Sequence, residues 1–354
     1  MKPIALTSLS HGGGCGCKIA PGLLADILAR APLGIVPPEL LVGTETSDDA
    51  AVYKLNDTQA LVATTDFFTP IVDDPFDFGR IAATNALSDI YAMGGTPIMA
   101  LALVGMPIDV LPPDVIGRIL EGGASVCRDA GIPIAGGHSI DVREPIYGLV
   151  GLGLVHPGRV RRNADAQAGD VLVLGKPLGV GILSAALKKG LLDAAGYADM
   201  LRHTTQLNRV GIELAALDGV HAMTDVTGFG LAGHLLEICR GSGLAGHVRF
   251  EKLPLIESAS GFARQGVVTG ASARNWAGFG ASVSWPGDAP AWAKAMVADP
   301  QTSGGLLVSC RPDAAQAVLD SFRRAGFAQA AAIGELSALQ AGTAAGISFD
   351  VAAA

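Results

Sequence analysis

The chain has 354 residues, of which 49% are hydrophobic, enough to fill two cores. Its net charge is −8 and no run of Lys or Arg exceeds two, so it carries no electrostatic footprint for nucleic acid or an anionic membrane. The longest apolar stretches, Ile98–Met106 and Ile146–Val155, fall short of the roughly 18 residues that a spanning helix needs.

Met1–Ser10 holds one Lys and no apolar run of signal-peptide length, so a cytoplasmic location is expected. Next comes His11-Gly12-Gly13-Gly14-Cys15-Gly16-Cys17-Lys18, two thiols and an amine with little side-chain bulk around them. Glycine lets the backbone approach a ligand closely, and a neighbouring Lys18 or protonated His11 is expected to lower a thiol pKa. The five Cys are an odd number, which suits reduced thiols. Cys127, Cys239 and Cys310 lie in apolar segments and read as core.

Thr46-Ser47-Asp48-Asp49 forms a loop before an apolar strand, Ala50–Tyr53, and Asp66 closes a strand over Gln59–Thr65. The hydrophobic period predicts helices over Phe78–Met93 and Pro112–Ala130, and strands over Ile98–Met106 and Ile146–Val155. In the first helix Ala82, Ala86, Ile90 and Met93 make the apolar stripe, which turns Asn85 and Asp89 together away from the core. The polar, turn-rich stretch His156–Asp170 divides the chain. Residues 1–20 are then a flexible loop, 21–157 a first domain and 158–354 a second. In the second, strands are expected at Asp170–Gly175 and Leu306–Ser309. Helices are expected at Gly181–Lys189, Met200–Leu217, Gly230–Cys239 and Asp313–Ala325, so both halves are α/β.

Three glycine-dense segments, Ala135–Ser139, Thr227–Gly230 and Asp299–Gly305, read as turns that offer backbone N–H groups to an anion. The first contains Gly137, His138 and Ser139. No Walker A pattern is present around Lys18, which follows Cys17 and precedes Ile19. Asp49, Asp66 and Asp89 each sit at a strand end or on a polar helix face, and Asp225 lies where an apolar segment meets a glycine turn. If such carboxylates converge, each close pair repels by about 4 kcal/mol at an effective dielectric of about 20. The cluster then needs a cation, and hard oxygen ligands favour Mg2+ with phosphate oxygens completing its shell.

The succession of His11–Lys18, Thr46–Tyr53, Thr64–Asp73, Asn85–Gly95, Ala135–Asp141, Met223–Gly230 and Asp299–Gly305 closely resembles the selenophosphate synthetase family over Leu6 to Gly334. Several of these motifs are shared with a wider aminoimidazole ribonucleotide synthetase-like ATP-binding superfamily; the Cys-Gly-Cys-Lys loop is specific to the selenophosphate enzymes. The resemblance implies two α/β (α+β) domains, the first forming a barrel-like homodimer interface. It implies a kinase that converts selenide, ATP and water to selenophosphate, AMP and orthophosphate, the selenium donor for selenocysteine or tRNA selenouridine.

Carried over by that resemblance, Cys15 and Lys18 are catalytic, and Asp49, Asp89 and Asp225 are the Mg2+ ligands. Lys18, Thr46, Ser47, Asp48, Asp66, Asp89, Gly137, His138 and Ser139 contact the nucleotide. The implied cofactor is Mg2+, with room for K+. The implied partners are ATP, selenide, a second copy of the chain and a transient selenium-delivery protein, without nucleic acid or membrane. Two rival readings stand beside it. One is another ATP-dependent enzyme of the same superfamily; the other is a non-catalytic carrier of selenium or a soft metal on Cys15 and Cys17, which leaves the acidic and glycine motifs unexplained.

Overall fold

Between Leu40 and Val155 the chain lays two helices on one face of a mixed sheet. In chain order the elements are β1 (Leu40–Val42), β2 (Ala51–Lys54), β3 (Ala60–Phe68), α1 (Pro75–Ala92), β4 (Thr96–Met106), α2 (Pro113–Ala130), β5 (Ile134–Asp141) and β6 (Ile146–Val155). The sheet order is β1-β2-β3-β6-β4-β5. This computed structural model describes residues 4–19, 23–24, 26–27, 30, 34–44 and 47–352.

Along β3 burial alternates, so Val62, Thr64, Asp66 and Phe68 face the helices while Thr65 and Phe67 face outward. Helix α1 begins at Pro75, three residues before its predicted start, because the Asp74 carboxylate accepts the Asp77 N–H and Pro75 occupies the first turn. Gly79 and Gly122 let α1 and α2 cross at backbone contact. A Cβ on Gly122 would lie 2.0 Å from the Phe76 carbonyl oxygen. Gly122→Ala is therefore expected to cost about 3 kcal/mol in urea denaturation, and a loss under about 1 kcal/mol contradicts the close crossing.

The second half continues with β7 (Val171–Leu174), α3 (Val180–Lys188), α4 (Ala194–Thr204), α5 (Gly211–Leu214), β8 (Val220–Asp225), α6 (Gly230–Ser242) and β9 (Leu244–Arg249). It closes with α7 (Glu257–Arg264), α8 (Gly270–Phe279), β10 (Val283–Ser284), α9 (Ala291–Val297), β11 (Leu306–Cys310), α10 (Ala315–Arg324), β12 (Ala331–Ala338) and β13 (Gly346–Asp350). Their sheet runs β10-β13-β9-β12-β7-β11-β8. We propose residues 1–20, 21–157 and 158–354 as loop, first and second domain, with one sheet in each of the latter two.

Three expectations need correction. The helix expected over Met200–Leu217 is two, because Asn208 between them turns its amide onto the Ser88 hydroxyl and the Gly304 carbonyl. Ala135–Ser139 is not a turn but part of strand β5, paired in parallel with β4. The Asn85–Asp89 face of α1 is not turned to solvent. Both side chains are buried, because α1 packs against the sheet of the first half on one side and against β8 of the second half on the other. That junction carries the site.

Candidate active site

The structure brings Asp49, Asp89 and Asp225 together, with one carboxylate oxygen of each within 4.8 Å of the others. Asp49 leads into β2, Asp89 lies on α1 and Asp225 ends β8, so the cluster exists only when the two halves pack. Thr224 Oγ1 donates to Asp49 Oδ1 at 2.8 Å, and the Thr64 hydroxyl donates to Asp89 Oδ2. Asp49 Oδ2 and Asp225 Oδ2 are buried with no hydrogen-bond partner among the described residues. Burial first, then the neighbouring carboxylates, holds Asp49 and Asp89 well above the usual carboxylate range, and burial raises Asp225 too. Orphaned acceptors in an all-oxygen set of three carboxylates suit a hard divalent cation.

Asp66 does not join those three but links them to the N-terminal loop. Its Oδ2 accepts from Asn85 Nδ2 at 2.6 Å and lies 3.6 Å from Lys18 Nζ. Asp66 holds Lys18 well above the ordinary amine value, although a side chain 40% exposed feels that pull through solvent screening. Asp48 accepts the Asn163 N–H at 2.6 Å, and the Ser47 carbonyl accepts Asn163 Nδ2 at 3.0 Å. These contacts fasten the loop before β2 to the second half. Thr46 lies outside the described residues. Beside them a cavity of about 670 Å3 is lined by Asp48, Asp49, Thr64, Thr65, Gly43 and Thr44, among others.

Gly137, His138 and Ser139 are not brought to this cluster. They lie exposed on edge strand β5, with β4 and β6 between it and β3, about 14 Å away at ordinary strand spacing.

The Cys15 loop is docked. The Gly14 N–H donates to the Thr69 carbonyl at 2.8 Å, the Cys15 N–H to Thr302 Oγ1 at 3.1 Å, and Cys17 Sγ lies 2.7 Å from Thr69 Oγ1. Gly14 has φ +55°, and a Cβ there would sit 2.2 Å from Thr302 Oγ1, so this turn admits only glycine. Docking overturns the expectation of an activated thiolate. Cys15 is 1% exposed, and burial, followed by the Asp66 charge, pushes its thiol far up rather than down. His11 contributes nothing there, since its ring meets Glu144 at 2.8 Å. The other three thiols are buried and unpaired, as expected for core.

The Asp299–Gly305 turn serves a different end from the one expected. Gln301 Oε1 accepts the Gly179 and Val180 N–H groups and Asp299 Oδ2 accepts that of Ile182, so both side chains cap α3. Burial pushes Asp299 up to about 7 from 3.8. The protonated form is the stable one when folded, so this contribution is complete below pH about 4 and is lost as pH rises through about 7. Asp299→Asn lacks that dependence. Its stability relative to wild type is expected to improve between pH 5 and 8 by a few kcal/mol in urea denaturation, and an unchanged difference contradicts the assignment.

Sequence reasoning missed Asn85 as a site residue. Buried on α1, its Oδ1 accepts from Cys15 Sγ at 3.2 Å and from the Ser303 N–H at 2.7 Å. Its one sequence signal was the four-residue spacing from Asp89, which puts both on the same helix face.

Comparison with known proteins identifies the family. Residues 47–155 match the AIR synthase related protein N-terminal domain, and 167–345 match its C-terminal domain. Selenide, water dikinase of Paraburkholderia xenovorans is 69% identical over 332 residues, 94% of each chain. The enzyme of the same name from Rhizobium meliloti is 56% identical over 333 residues, covering 94% of this chain and 95% of that one. Among solved structures, thiamine-monophosphate kinase from Stenotrophomonas maltophilia superposes with a TM-score of 0.64 at 22% identity over 96% of this chain and 98% of that one. Hydrogenase maturation protein HypE in complex with ATP gives 0.67 at 22% identity over 99% and 95%. These two show the fold. With the relatives' identity and coverage, the chain belongs to the selenide, water dikinase family, built on the AIR synthase related fold.

Proposed function

We propose that the chain converts selenide, ATP and water to selenophosphate, AMP and orthophosphate. The observation that carries this is the Cys-Gly-Cys-Lys loop, docked with Lys18 on Asp66 and Cys15 on Asn85 beside three converging carboxylates, in a chain so similar to enzymes named for that reaction. Asp49, Asp89 and Asp225 would hold Mg2+, which when bound neutralises charge on phosphate oxygens. K+ as a companion cation belongs to the same proposal.

Phosphoryl transfer asks the protein for positioning and charge stabilisation more than for covalent help. Lys18, anchored by Asp66 yet 40% exposed, directs a fixed positive charge to the phosphoryl group. Asp48, fastened with Ser47 by Asn163, lines the cavity assigned to the nucleotide. Loop docking excludes water from Cys15, the residue we assign to selenium. The unpaired thiols support a reducing, cytoplasmic setting. Among the described residues no helix is long and apolar enough to cross a membrane.

The acting unit is a homodimer. The outer face of the first sheet exposes Tyr53 (40%), Phe67 (48%) and Ile98 (40%), an apolar surface suited to a second copy. Through it, Gly137, His138 and Ser139 would serve the partner's nucleotide rather than their own.

In anaerobic assays AMP should appear one for one with selenide consumed, as quantified by ion-exchange chromatography. Accumulation of ADP, or turnover only with an organic acceptor, assigns the chain to another activity of the same fold.

A further inference from the structure

Asn85 ties four separate segments together. Its Nδ2 donates to Asp66 Oδ2 on β3, and its Oδ1 accepts both the Ser303 N–H and the Cys15 S–H. These partners dictate the direction of the amide. A backbone N–H only donates and a carboxylate only accepts, so the oxygen must face Ser303 and Cys15. Ser303 is itself fixed in a left-handed conformation, φ 55°, and its carbonyl accepts from the buried Lys176 Nζ at 2.9 Å. The atom facing the Cys15 sulfur is thus an acceptor that cannot be exchanged for a donor by rotation.

We propose that Asn85 is a positioning residue for Cys15, and that its carbonyl oxygen allows the N-terminal loop to close only over an uncharged sulfur that donates a hydrogen bond. A thiolate forfeits the S–H donor and is left against the Asn85 lone pairs in a buried site. The charged groups facing position 15 are Lys18 on the loop, Asp66 on β3 and Asp225 at the end of β8, one cation against two carboxylates. Thr302 Oγ1 accepts the Cys15 N–H and its own hydroxyl proton favours the thiolate, but less strongly than burial and the Asp66 charge oppose it. The anionic, reactive form of Cys15 therefore belongs to the open loop and the thiol to the closed one. This inference rests on the reading of Cys15 as the selenium-handling residue, but its test involves no selenium and stands whatever the acceptor proves to be.

The test is hydrogen–deuterium exchange by mass spectrometry on the Gly14 and residue-15 amides of the full-length, metal-free protein at pH 8. Cys15→Asn and Cys15→Asp are close in shape; the first offers an N–H donor to Asn85 and the second a negative charge. The Asn variant should retain wild-type protection within about twofold, and the Asp variant should exchange at least about tenfold faster, the factor expected from one lost buried hydrogen bond. Equal exchange in the two overturns the proposal. With native Cys15, Asn85→Leu should speed iodoacetamide labelling of Cys15 by at least about tenfold relative to Cys17 in the same protein. Unchanged labelling reduces Asn85 to packing and overturns the proposal; if this variant does not fold, the pair at position 15 decides alone.

Discussion

Asp89→Asn should lower ATP-dependent turnover by on the order of 10^3-fold while raising the melting temperature of the metal-free protein, two effects of opposite sign from one carboxylate. The loss follows because Asp89 is one of three carboxylates that converge among the described residues, and Asp49 and Asp225 alone would hold a divalent cation poorly. The gain follows because three carboxylates are buried side by side: burial raises the pKa of each, and at Asp49 and Asp89 the neighbouring carboxylates add to it. Raised carboxylate values mean that the metal-free fold loses stability as pH climbs through them, so the variant's advantage should be greatest at pH 8. Differential scanning calorimetry at that pH, with and without Mg2+, reads both effects. Wild type should gain several degrees on adding Mg2+, and Asp89→Asn should start higher and gain almost nothing. A variant that melts lower without Mg2+ and still responds to it contradicts the metal centre.

Lys18→Met should reduce kcat and kcat/KM alike by about 10^2- to 10^3-fold, leaving KM for ATP and the Mg2+-dependent melting shift intact. Methionine retains most of the stem's length and removes the charge, so the loss isolates electrostatic stabilisation of the moving phosphoryl group. Asp66 loses its cation at 3.6 Å but keeps the Asn85 amide at 2.6 Å, so the site should stay assembled. A rise in KM for ATP with kcat unchanged would instead make Lys18 a ground-state nucleotide contact. Steady-state kinetics under anaerobic conditions separates the two outcomes.

Much of the first half was legible because its signals are local. The apolar stripe through Ala82, Ala86 and Ile90 predicts α1, and the runs of β4 and β6 are too short to span a membrane. The three carboxylates were each visible as a strand-end or helix-face Asp, but their meeting depends on packing β8 against α1, which no local pattern encodes. Strand β5 was read as a turn because Gly136 and Gly137 lack the side chains that mark strands; Gly137 pairs with Ala102 of β4 by close backbone approach, and Gly136 falls where the register shifts. The Asp299–Gly305 segment looked like an anion cradle, yet its side-chain acceptors face the first turn of α3. Asn85 was read as a polar helix-face residue and not as a site residue because its contacts are distant in sequence. Its partners Cys15 and Ser303 are 70 and 218 residues away. The thiol expectation failed because it weighed the adjacent Lys18 charge and could not see that docking buries the sulfur.

The most direct measurement is anaerobic phosphorus NMR of the purified protein with Mg-ATP and 77Se-enriched selenide. The account predicts that AMP, orthophosphate and a third phosphorus signal split by coupling to selenium grow together, all three dependent on selenide and all lost in Lys18→Met. ADP as the nucleotide product, or no selenium-coupled signal, contradicts it.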